Sequence, residues 1–298
     1  MSGPTLAKPP IAASPPSEPA PVVGPAVREV RITPPRGWEL LDLAEFWAYR
    51  DLFRFLVWRG IKAQYAQSAV GIGWAVIKPL ATVATFTLVF GQLAEIDSGG
   101  VPYALFSFVA MVPWTYFSGC IRGGTASLVS NANMISKVYF PRLVIPLSQV
   151  CVGLVDFAIA FLLMIAALAV SGYAPNVGVL LVPVLVAVMV AAAAGLACWL
   201  TALAIQFRDV NHATVFLVQL GMYASPVIYR AELVPEEYRP LYAMNPMVGV
   251  IGGFRSAFLG EPTMPWTDIA IGSAVAAGLL LSGMLFFRRR EAVFADVA

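Results

Sequence analysis

Charged residues are scarce in this chain. Only 12% of its 298 residues are Asp, Glu, Lys or Arg, about half of the roughly 25% found in soluble domains. The gaps between charges are long, because Asp156 is the only such residue between Arg142 and Arg208, and none lies between Asp268 and Arg288. A helix crosses a bilayer with about 20 apolar residues. The gaps therefore exclude a soluble globular protein and indicate an integral membrane protein built of α-helices.

Residues for catalysis and metal binding are also few. The three cysteines, Cys120, Cys151 and Cys198, lie in apolar segments and are interpreted as small buried hydrophobic residues. The sequence has no G-x-x-x-x-G-K-[ST] loop for nucleotide phosphates and no H-E-x-x-H or G-x-S-x-G motif. The single histidine, His212, has no carboxylate cluster beside it and is interpreted as structural. We therefore expect no catalytic residue, no metal site and no cofactor bound by this chain, and its net charge of +2 does not suggest nucleic acid as a partner.

Six apolar segments predict six transmembrane helices. Their predicted bounds are Gly71–Leu93, Tyr103–Leu128, Leu143–Val170, Val177–Phe207, Ala213–Tyr229 and Ile269–Phe287. An even number of spans places both termini on one side, and of the 19 Lys and Arg only Arg230, Arg239 and Arg255 fall on the other side. The excess of positive charge predicts that both termini are cytoplasmic.

The segment between the fifth and sixth spans contains a short apolar piece, Met247–Leu259, which includes Gly252 and Gly253. This piece is too short to cross a bilayer. We expect a re-entrant or interfacial hairpin broken at Pro246 and at the two glycines, with an ordinary external loop as the alternative.

The amino-terminal region divides into two parts. Residues 1–36 are rich in proline and alanine, and we expect them to be disordered. Residues 37–66 predict an amphipathic helix that lies flat on the cytoplasmic surface of the membrane. Its basic residues, set among Trp47 and Trp58, suggest a platform for phosphate groups; a plain topological anchor is the alternative. The platform residues are Arg50, Arg54, Arg59 and Lys62.

The loop between the second and third spans, SNANMISKVYFPRLVIP (Ser130–Pro146), is polar and basic. Asn131 or Asn133 is suited to begin a short helix, and Pro141 would end it. Its exposed apolar residues suggest a peg that docks into the groove of a cytoplasmic ATPase, which would supply the energy that this chain lacks. Packing of the loop against its own protein or the lipid surface is the alternative.

Asp156 is the only acidic residue deep within a predicted span. Proton relays in membranes generally use chains of such groups, and no internal repeat typical of secondary transporters is visible. Asp156 has Arg122 on the neighbouring span as a conceivable partner. A passive or ion-driven carrier is therefore a weaker interpretation.

Four stretches, taken together and in this order, resemble the membrane subunit of ABC-2 type exporters of the polysaccharide and O-antigen branch. They are RGIKAQYAQSAVGIGWAVIKP (Arg59–Pro79), MVPWTYFSGCIRGGTASLVSNANMISKVYFPRLVIP (Met111–Pro146), FRDV (Phe207–Val210) and the segment from SPVIY to VIGGFR (Ser225–Arg255). The resemblance covers roughly residues 40–290, so that residues 67–290 would form the six-span domain and residues 291–298 a cytoplasmic tail.

The resemblance implies a homodimer in the cytoplasmic (inner) membrane that works with two separate ATPase subunits, which hold the ATP and Mg²⁺. It implies that Glu39–Trp58 is the interfacial helix and that Asn133–Pro141 is the coupling helix. Two short re-entrant helices would close the external end of the pore. The implied coupling residues are Asn133, Ile135, Lys137, Tyr139, Phe140, Arg208 and Asp209. The implied residues of the external gate are Asn245, Pro246 and Arg255.

The implied cargo is a long glycan on a polyprenyl diphosphate lipid. Sugar rings stack on aromatic faces, so the aromatic residues of the spans are candidates for a glycan channel, although helix packing or an interfacial belt also explains them. The candidates are Trp114, Tyr116, Phe117, Trp199, Tyr223 and Tyr229. Teichoic acid, capsule, a drug or another lipid are alternative cargoes, and an ion-coupled carrier or a membrane glycosyltransferase is the alternative from another class.

Overall fold

The computed structural model describes residues 43–66, 71–135, 137, 140–207, 209–260 and 263–291. These residues form helices joined by turns and loops, with no strand among them. The α-helices before the second span are α1 (Leu43–Ala48), α2 (Arg50–Tyr65) and α3 (Gly73–Phe86), which continues as a π-helix, Thr87–Leu93. They are followed by α4 (Tyr103–Ser130), α5 (Ala132–Ile135), α6 (Val144–Val170), a 3-10 turn (Val177–Leu181) and α7 (Val182–Gln206). The remaining α-helices are α8 (Asp209–Tyr223), α9 (Arg239–Ala243), α10 (Pro246–Leu259) and α11 (Trp266–Glu291).

Five helices of the described chain are long and apolar enough to cross a membrane. They are Gly73–Leu93, Tyr103–Ser130, Val144–Val170, Val177–Gln206 and Trp266–Glu291. Each agrees with a predicted span to within a few residues, because a run of apolar residues of sufficient length fixes a span without reference to its neighbours. The predicted disordered extension, residues 1–36, and the tail, residues 292–298, lie outside the described residues.

The second span, α4, is the centre of the bundle. Most of its side chains are buried, and it packs against α6 and α7 on its two sides. Small residues permit this close packing, since a Cβ atom added at Gly124 would lie 2.6 Å from the Cβ atom of Ala197 on α7. Thr201 of α7 donates a hydrogen bond of 2.8 Å to the Gly124 carbonyl at the same crossing. Such contacts between small residues drive helix association in lipid, where apolar surfaces gain little from meeting one another.

The chain has two ends, which are named here by their residues. The basic end carries Lys137, Arg142 and Arg288, where α4 and α11 finish and α6 begins. The far end carries Tyr103 and Trp266, where α4 and α11 begin. Helix α3 with its π-helical continuation, α4, α6, α7 and α11 each join the two ends.

The predicted fifth span, Ala213–Tyr229, differs from the other five. Helix α8 has 15 residues, a length of about 22 Å, compared with a hydrocarbon core of about 30 Å. A non-helical turn follows it and reaches the far end, because the Tyr103 hydroxyl donates a hydrogen bond of 2.8 Å to the carbonyl of Ile228. Helix α8 and this turn therefore run together along α4.

Helix α10 enters the bundle from the far end. Asn245 caps it by accepting a hydrogen bond of 3.0 Å from the Met247 amide, Pro246 occupies its first turn, and Gly260 ends it with a φ of +76°. Gly252 and Gly253, which are predicted from the sequence to break this segment, lie inside an unbroken helix. A Cβ atom at Gly253 would lie 2.7 Å from a methyl group of Leu185. This glycine serves close packing, and the prediction of a break there is wrong.

Helix α2 packs along α6. Leu56 packs with the first residues of α6, a Cβ atom at Gly60 would lie 2.6 Å from Val152, and Tyr65 reaches Asp156. These three contacts climb about 18 Å along α6 from its start at Val144. On the apolar arc of α2, Leu56 is buried, and Leu52 and Phe53 are half-buried against the same hydrophobic cluster, as is Phe46 of the preceding helix α1. Periodicity identifies an apolar face but not what covers it, and the position of α2 at the membrane surface stays a prediction.

Candidate transport site

The base of the loop between α4 and α6 is anchored in a hydrophobic cluster at the basic end. Phe140 is only 3% exposed and packs with Leu143, Leu128 and Phe287. The amide of Arg142 donates a hydrogen bond of 2.8 Å to the Glu291 carboxylate, and the Arg142 guanidinium donates one of 3.2 Å to the Glu291 carbonyl. The loop is thus tied to the end of α11. Local sequence carries no signal for this tie, because it joins residues about 150 positions apart.

The predicted coupling residues have different environments. Asn133 and Ile135 lie on the single turn α5, Ile135 packs partly on the hydrophobic cluster, and Lys137 is exposed. Asp209 is exposed at the start of α8, at the same end of the molecule. Tyr139 and Arg208 lie outside the described residues. The described helix ends at Ile135, well before Pro141, and buried Phe140 is not available as a docking knob in this conformation.

The four predicted platform residues lie along the exposed arc of α2. Arg54 and Arg50 face Asp51 at 3.7 Å and 4.0 Å, and the Lys62 ammonium lies 4.8 Å from the centre of the Trp58 ring. Arg59 reaches across to donate a hydrogen bond to the side-chain oxygen of Asn131 at the end of α4. Phe55 and Trp58 are exposed on the same arc, and Trp47 is exposed on the preceding helix α1. Basic and aromatic side chains thus alternate on one surface of the described chain.

The Asp156 carboxylate is bound by the end of α2. Its two oxygen atoms accept hydrogen bonds from the Gln64 amide and the Tyr65 hydroxyl. Burial raises the pKa of the Tyr65 hydroxyl, and the hydrogen bond to Asp156 and its charge raise it further. Arg122, the partner considered from sequence, is not the group that meets Asp156 here. Local sequence carries no signal for this contact, because it joins residues about 90 positions apart.

The aromatic candidates for a glycan channel fall into two groups. Trp114, Tyr116 and Phe117 of α4 are buried where α4 packs against α6 and α8. The Tyr116 hydroxyl donates a hydrogen bond of 3.1 Å to the carbonyl of Val150. The rings of the others are at least partly accessible. Trp199 stacks on Phe286 at 4.0 Å and donates to Ser282 at 3.1 Å, and the Tyr229 hydroxyl donates to the Tyr223 carbonyl at 2.9 Å. The structure therefore does not bring the six together, and their role in a channel stays a prediction.

The three predicted gate residues hold α10 at the far end. The Asn245 amide donates hydrogen bonds of 2.8 Å to the Ser225 hydroxyl and 3.2 Å to the Ala224 carbonyl, which ties the start of α10 to the turn after α8. Pro246 is buried against Gly272 of α11. Arg255 is only 2% exposed. The apolar helix α10 is thus held near both of its ends at the far end of the bundle.

This architecture defines a class of protein: a multi-pass helical membrane protein. It has a basic, anchored loop at one end and a buried short helix at the other. The profile of the family described as ABC-2 type transporter matches residues 51–259, which is most of the described chain. The protein belongs to the ABC-2 type transporter family and is the transmembrane subunit of an ABC transporter.

Three similar permeases match this chain over nearly their whole length. The chain is 29% identical over 254 residues to the O-antigen export system permease protein RfbA of Myxococcus xanthus, with 85% of this chain and 97% of that protein covered. It is 26% and 25% identical over 249 residues to two proteins of the same name from Klebsiella pneumoniae, with 83% of this chain and 95% of each of them covered.

Proposed function

We propose that this chain is the membrane subunit of an ATP-driven exporter that moves a polyprenyl-diphosphate-linked polysaccharide across the cytoplasmic membrane. Two copies of the chain would form the pathway, and two cytoplasmic ATPase subunits would drive it. The observation that carries the proposal is the near full-length similarity to three permeases named for O-antigen export. Subunits of the ABC-2 family generally pair with ABC ATPases, which agrees with the missing nucleotide-binding loop.

The proposal includes six crossings of the membrane with both termini in the cytoplasm. Helix α8 and the turn that follows it would make the remaining crossing, which is the fifth in chain order. Asp209 lies at the basic end, and Ile228 meets Tyr103 at the far end. The basic end would then face the cytoplasm, as the distribution of Lys and Arg predicts. The loop tied to Glu291 would meet the ATPase, and α10 would close the external side.

The exposed arc of α2 would receive the substrate. Arginine and lysine bind diphosphate oxygens, while Trp47 and Trp58 suit the depth of lipid headgroups. We expect the double charge reversal Arg54→Glu and Lys62→Glu to lower glycan export at least about tenfold, because charge-assisted hydrogen bonds contribute about 1.5–3 kcal/mol each. The charge reversal Arg289→Glu, at an exposed arginine in the last turn of α11, is the control. Export that survives the double reversal at normal protein levels in the membrane would reject the platform.

The proposed function is tested by deletion and by reconstitution. We expect a strain lacking this chain to accumulate lipid-linked glycan in the cytoplasm and to lose it from the cell surface. Proteoliposomes with this chain and its ATPase should move the lipid-linked glycan with ATP, and proteoliposomes with this chain alone should not. Normal surface glycan in the deletion strain would refute the assignment.

The same proteoliposomes separate the alternative cargoes. If the ATPase rate ignores lipid-linked glycan and rises with a drug, teichoic acid or another lipid, the cargo is different and the architecture stands. Transport by the chain without any ATPase would instead indicate an ion-coupled carrier. Formation of a glycosidic bond without transport would indicate a glycosyltransferase.

A further inference from the structure

Arg122 places a positive charge within the second span. It lies eight residues, about 12 Å, from the end of α4 at Ser130, and its side chain is exposed. Among the residues that the structure describes, none forms a hydrogen bond, an ion pair or a ring contact with its guanidinium. A charge without a partner is costly within a span, and such residues generally mark the path of an ion or a substrate.

The side chain of Arg122 belongs to the one face of α4 that the bundle leaves open. Thr115, Gly119, Arg122 and Ala126 are the exposed residues of α4 before its last turn. Their spacing of four, three and four residues places them on one face of the helix. We call these four residues the open face of α4.

The open face lies between α8 and α6. A Cβ atom added at Gly221 of α8 would lie 3.1 Å from the ring of Trp114, and one added at Gly123 would lie 3.7 Å from the side-chain oxygen of Gln149 on α6. Around the helix axis, Arg122 is turned about 80° from Trp114 and about 100° from Gly123. Gln149 therefore borders the open face next to Arg122.

Two further observations indicate that this place suits a polar ligand. Like Arg122, the Gln149 amide has no hydrogen-bond partner in the part of the chain that the structure describes, although polar side chains in a span generally bond to a neighbouring helix. A Cβ atom added at Gly119, one turn from Arg122 toward the middle of the span, would have no atom within 4 Å. The open face thus combines a guanidinium, an amide and free space.

The sequence restricts the source of an anion for Arg122. Asp156 is the only acidic residue within the six predicted spans, so a second copy of the chain offers no other carboxylate at this depth. Both oxygen atoms of Asp156 accept hydrogen bonds from α2, through Gln64 and Tyr65, and no interaction joins Asp156 to Arg122 in the described chain. An anion that meets Arg122 in the membrane is therefore carried by a lipid, and the anionic group that lipids generally carry is a phosphate.

Arg59 links the basic platform on α2 to the helix that carries Arg122. It donates a hydrogen bond to the side-chain oxygen of Asn131, at the end of α4. Arg122 lies nine residues, about 14 Å, further along that helix toward the far end. Arginines thus occur at two depths along α4, one at its basic end and one within the span.

We propose that Arg122 and Gln149 form a binding site, within the membrane, for the phosphate groups of a lipid-linked substrate. The guanidinium would bind phosphate oxygens in a bidentate manner, and the Gln149 amide would donate to a further oxygen. Gly119 would leave room for the diphosphate. The inference rests on the proposed export of a lipid-linked glycan and adds a second phosphate site beyond the platform. A phospholipid headgroup has the same phosphate chemistry, so the experiment separates the two sources.

The binding test uses the full-length chain in detergent without an ATPase, and with Arg54→Glu and Lys62→Glu in place to weaken binding at the platform. Native mass spectrometry measures the binding of undecaprenyl diphosphate, undecaprenol and phosphatidylglycerol. We expect Arg122→Gln to weaken the binding of undecaprenyl diphosphate at least about tenfold, the loss of one charge-assisted hydrogen bond, and to leave that of undecaprenol unchanged. Arg122→Lys keeps the charge without the bidentate fork and should weaken binding less. Gln149→Leu should weaken it about threefold.

Two variants control for general effects of charge. Arg289→Gln removes an exposed arginine from the last turn of α11, and Asp156→Asn removes the carboxylate of the third span. Neither should weaken the binding of undecaprenyl diphosphate. Binding that Arg122→Gln leaves unchanged, or that Asp156→Asn weakens as much as Arg122→Gln does, would overturn the inference. Displacement of undecaprenyl diphosphate by phosphatidylglycerol at equal concentration would overturn it in favour of a phospholipid site.

The outcome is separable from that of the proposed function. If Arg122→Gln leaves diphosphate binding unchanged while the wild-type chain exports glycan with ATP in proteoliposomes, the site is overturned and the exporter assignment remains. If diphosphate binding depends on Arg122 in a chain that exports no glycan, the site is supported and the exporter assignment is refuted.

Discussion

At the scale of the residue, Asp156 shows how a charge is accommodated within a span. A carboxylate removed from water costs several kcal/mol unless hydrogen bonds compensate for it. The Gln64 amide and the Tyr65 hydroxyl supply these bonds from α2. The end of α2 is therefore held against the middle of α6 by a polar contact as well as by packing.

We expect Tyr65→Phe to lower the free energy of unfolding by about 1.5–3 kcal/mol, the range for hydrogen bonds to charged groups. The loss should be smaller in an Asp156→Asn background, where no charge is left uncompensated. Denaturant unfolding of the purified chain in detergent measures both values. Equal losses in the two backgrounds would show that the hydroxyl acts independently of Asp156.

The same contact predicts a dependence on pH. Since the pKa of Tyr65 is raised above its ordinary value of 10.0 in the folded chain, its contribution to stability is complete below that pH. The contribution of Tyr65 to stability decreases as the pH rises above about 10, because the Tyr65 hydroxyl loses its proton in the unfolded chain before it does so in the folded chain. The stability difference between the wild type and Tyr65→Phe should therefore shrink between pH 9 and pH 11, and a constant difference would contradict this assignment.

At the scale of the element, α7 and α11 cross at two glycines with no room for a side chain. A Cβ atom at Gly195 would lie 2.4 Å from the Leu279 carbonyl carbon, and one at Gly283 would lie 2.3 Å from the Gly195 carbonyl oxygen. We expect Gly195→Ala to destabilise the chain by about 1–3 kcal/mol, because backbone must shift. Gly278→Ala on α11 is the matched control, since open space surrounds it and alanine favours a helix.

Thermal unfolding in detergent compares these two variants. If Gly278→Ala lowered the stability as much as Gly195→Ala, the destabilisation would come from helix propensity or expression and not from the crossing of α7 and α11.

The loop between α4 and α6 combines an anchor with an exposed segment, and the two are separable. Phe140→Ala removes a ring from the hydrophobic cluster, so we expect a destabilisation of about 3–5 kcal/mol. Lys137 is exposed, so Lys137→Glu should leave stability within about 0.5 kcal/mol and weaken the association with the ATPase. Thermal unfolding and co-purification measure the two properties. Normal ATPase binding by Lys137→Glu would argue against docking through this lysine.

At the scale of the whole molecule, α8 has an outer face that is not purely apolar. Val215, Phe216 and Leu217 are exposed there, but so is the amide of Gln219. Polar side chains within a bilayer generally face protein or water instead of lipid. We therefore expect this face to meet the second copy of the chain or the pathway between the copies.

Single cysteines test this arrangement after Cys120, Cys151 and Cys198 are replaced. Gln219→Cys should be cross-linked to its own copy by a short bismaleimide in membranes, or be labelled by a water-soluble maleimide. Leu162→Cys, which is exposed on α6 and is expected to face lipid, should show neither reaction. Absence of both reactions at Gln219→Cys would place this face of α8 against lipid.

Much of the architecture was determined by the sequence alone. The bounds of five spans, the short length of α10 and the excess of Lys and Arg at one end follow from the free energy of each residue in water or lipid, which needs no knowledge of its neighbours. Pro246 likewise marks the start of α10 through local backbone chemistry. These features were readable because each depends on a few adjacent residues.

Only the tertiary structure decided which surfaces are covered and which groups meet. Phe140 is predicted from the sequence to be an exposed docking residue, yet it is buried. Asp156 accepts a hydrogen bond from Tyr65 of α2, and Gly253 leaves room for Leu185 instead of breaking a helix. The open face of α4 likewise has Gln149 of another helix at its border. Such contacts depend on how the helices cross, and a one-dimensional pattern of apolar residues specifies a helix face without specifying its partner.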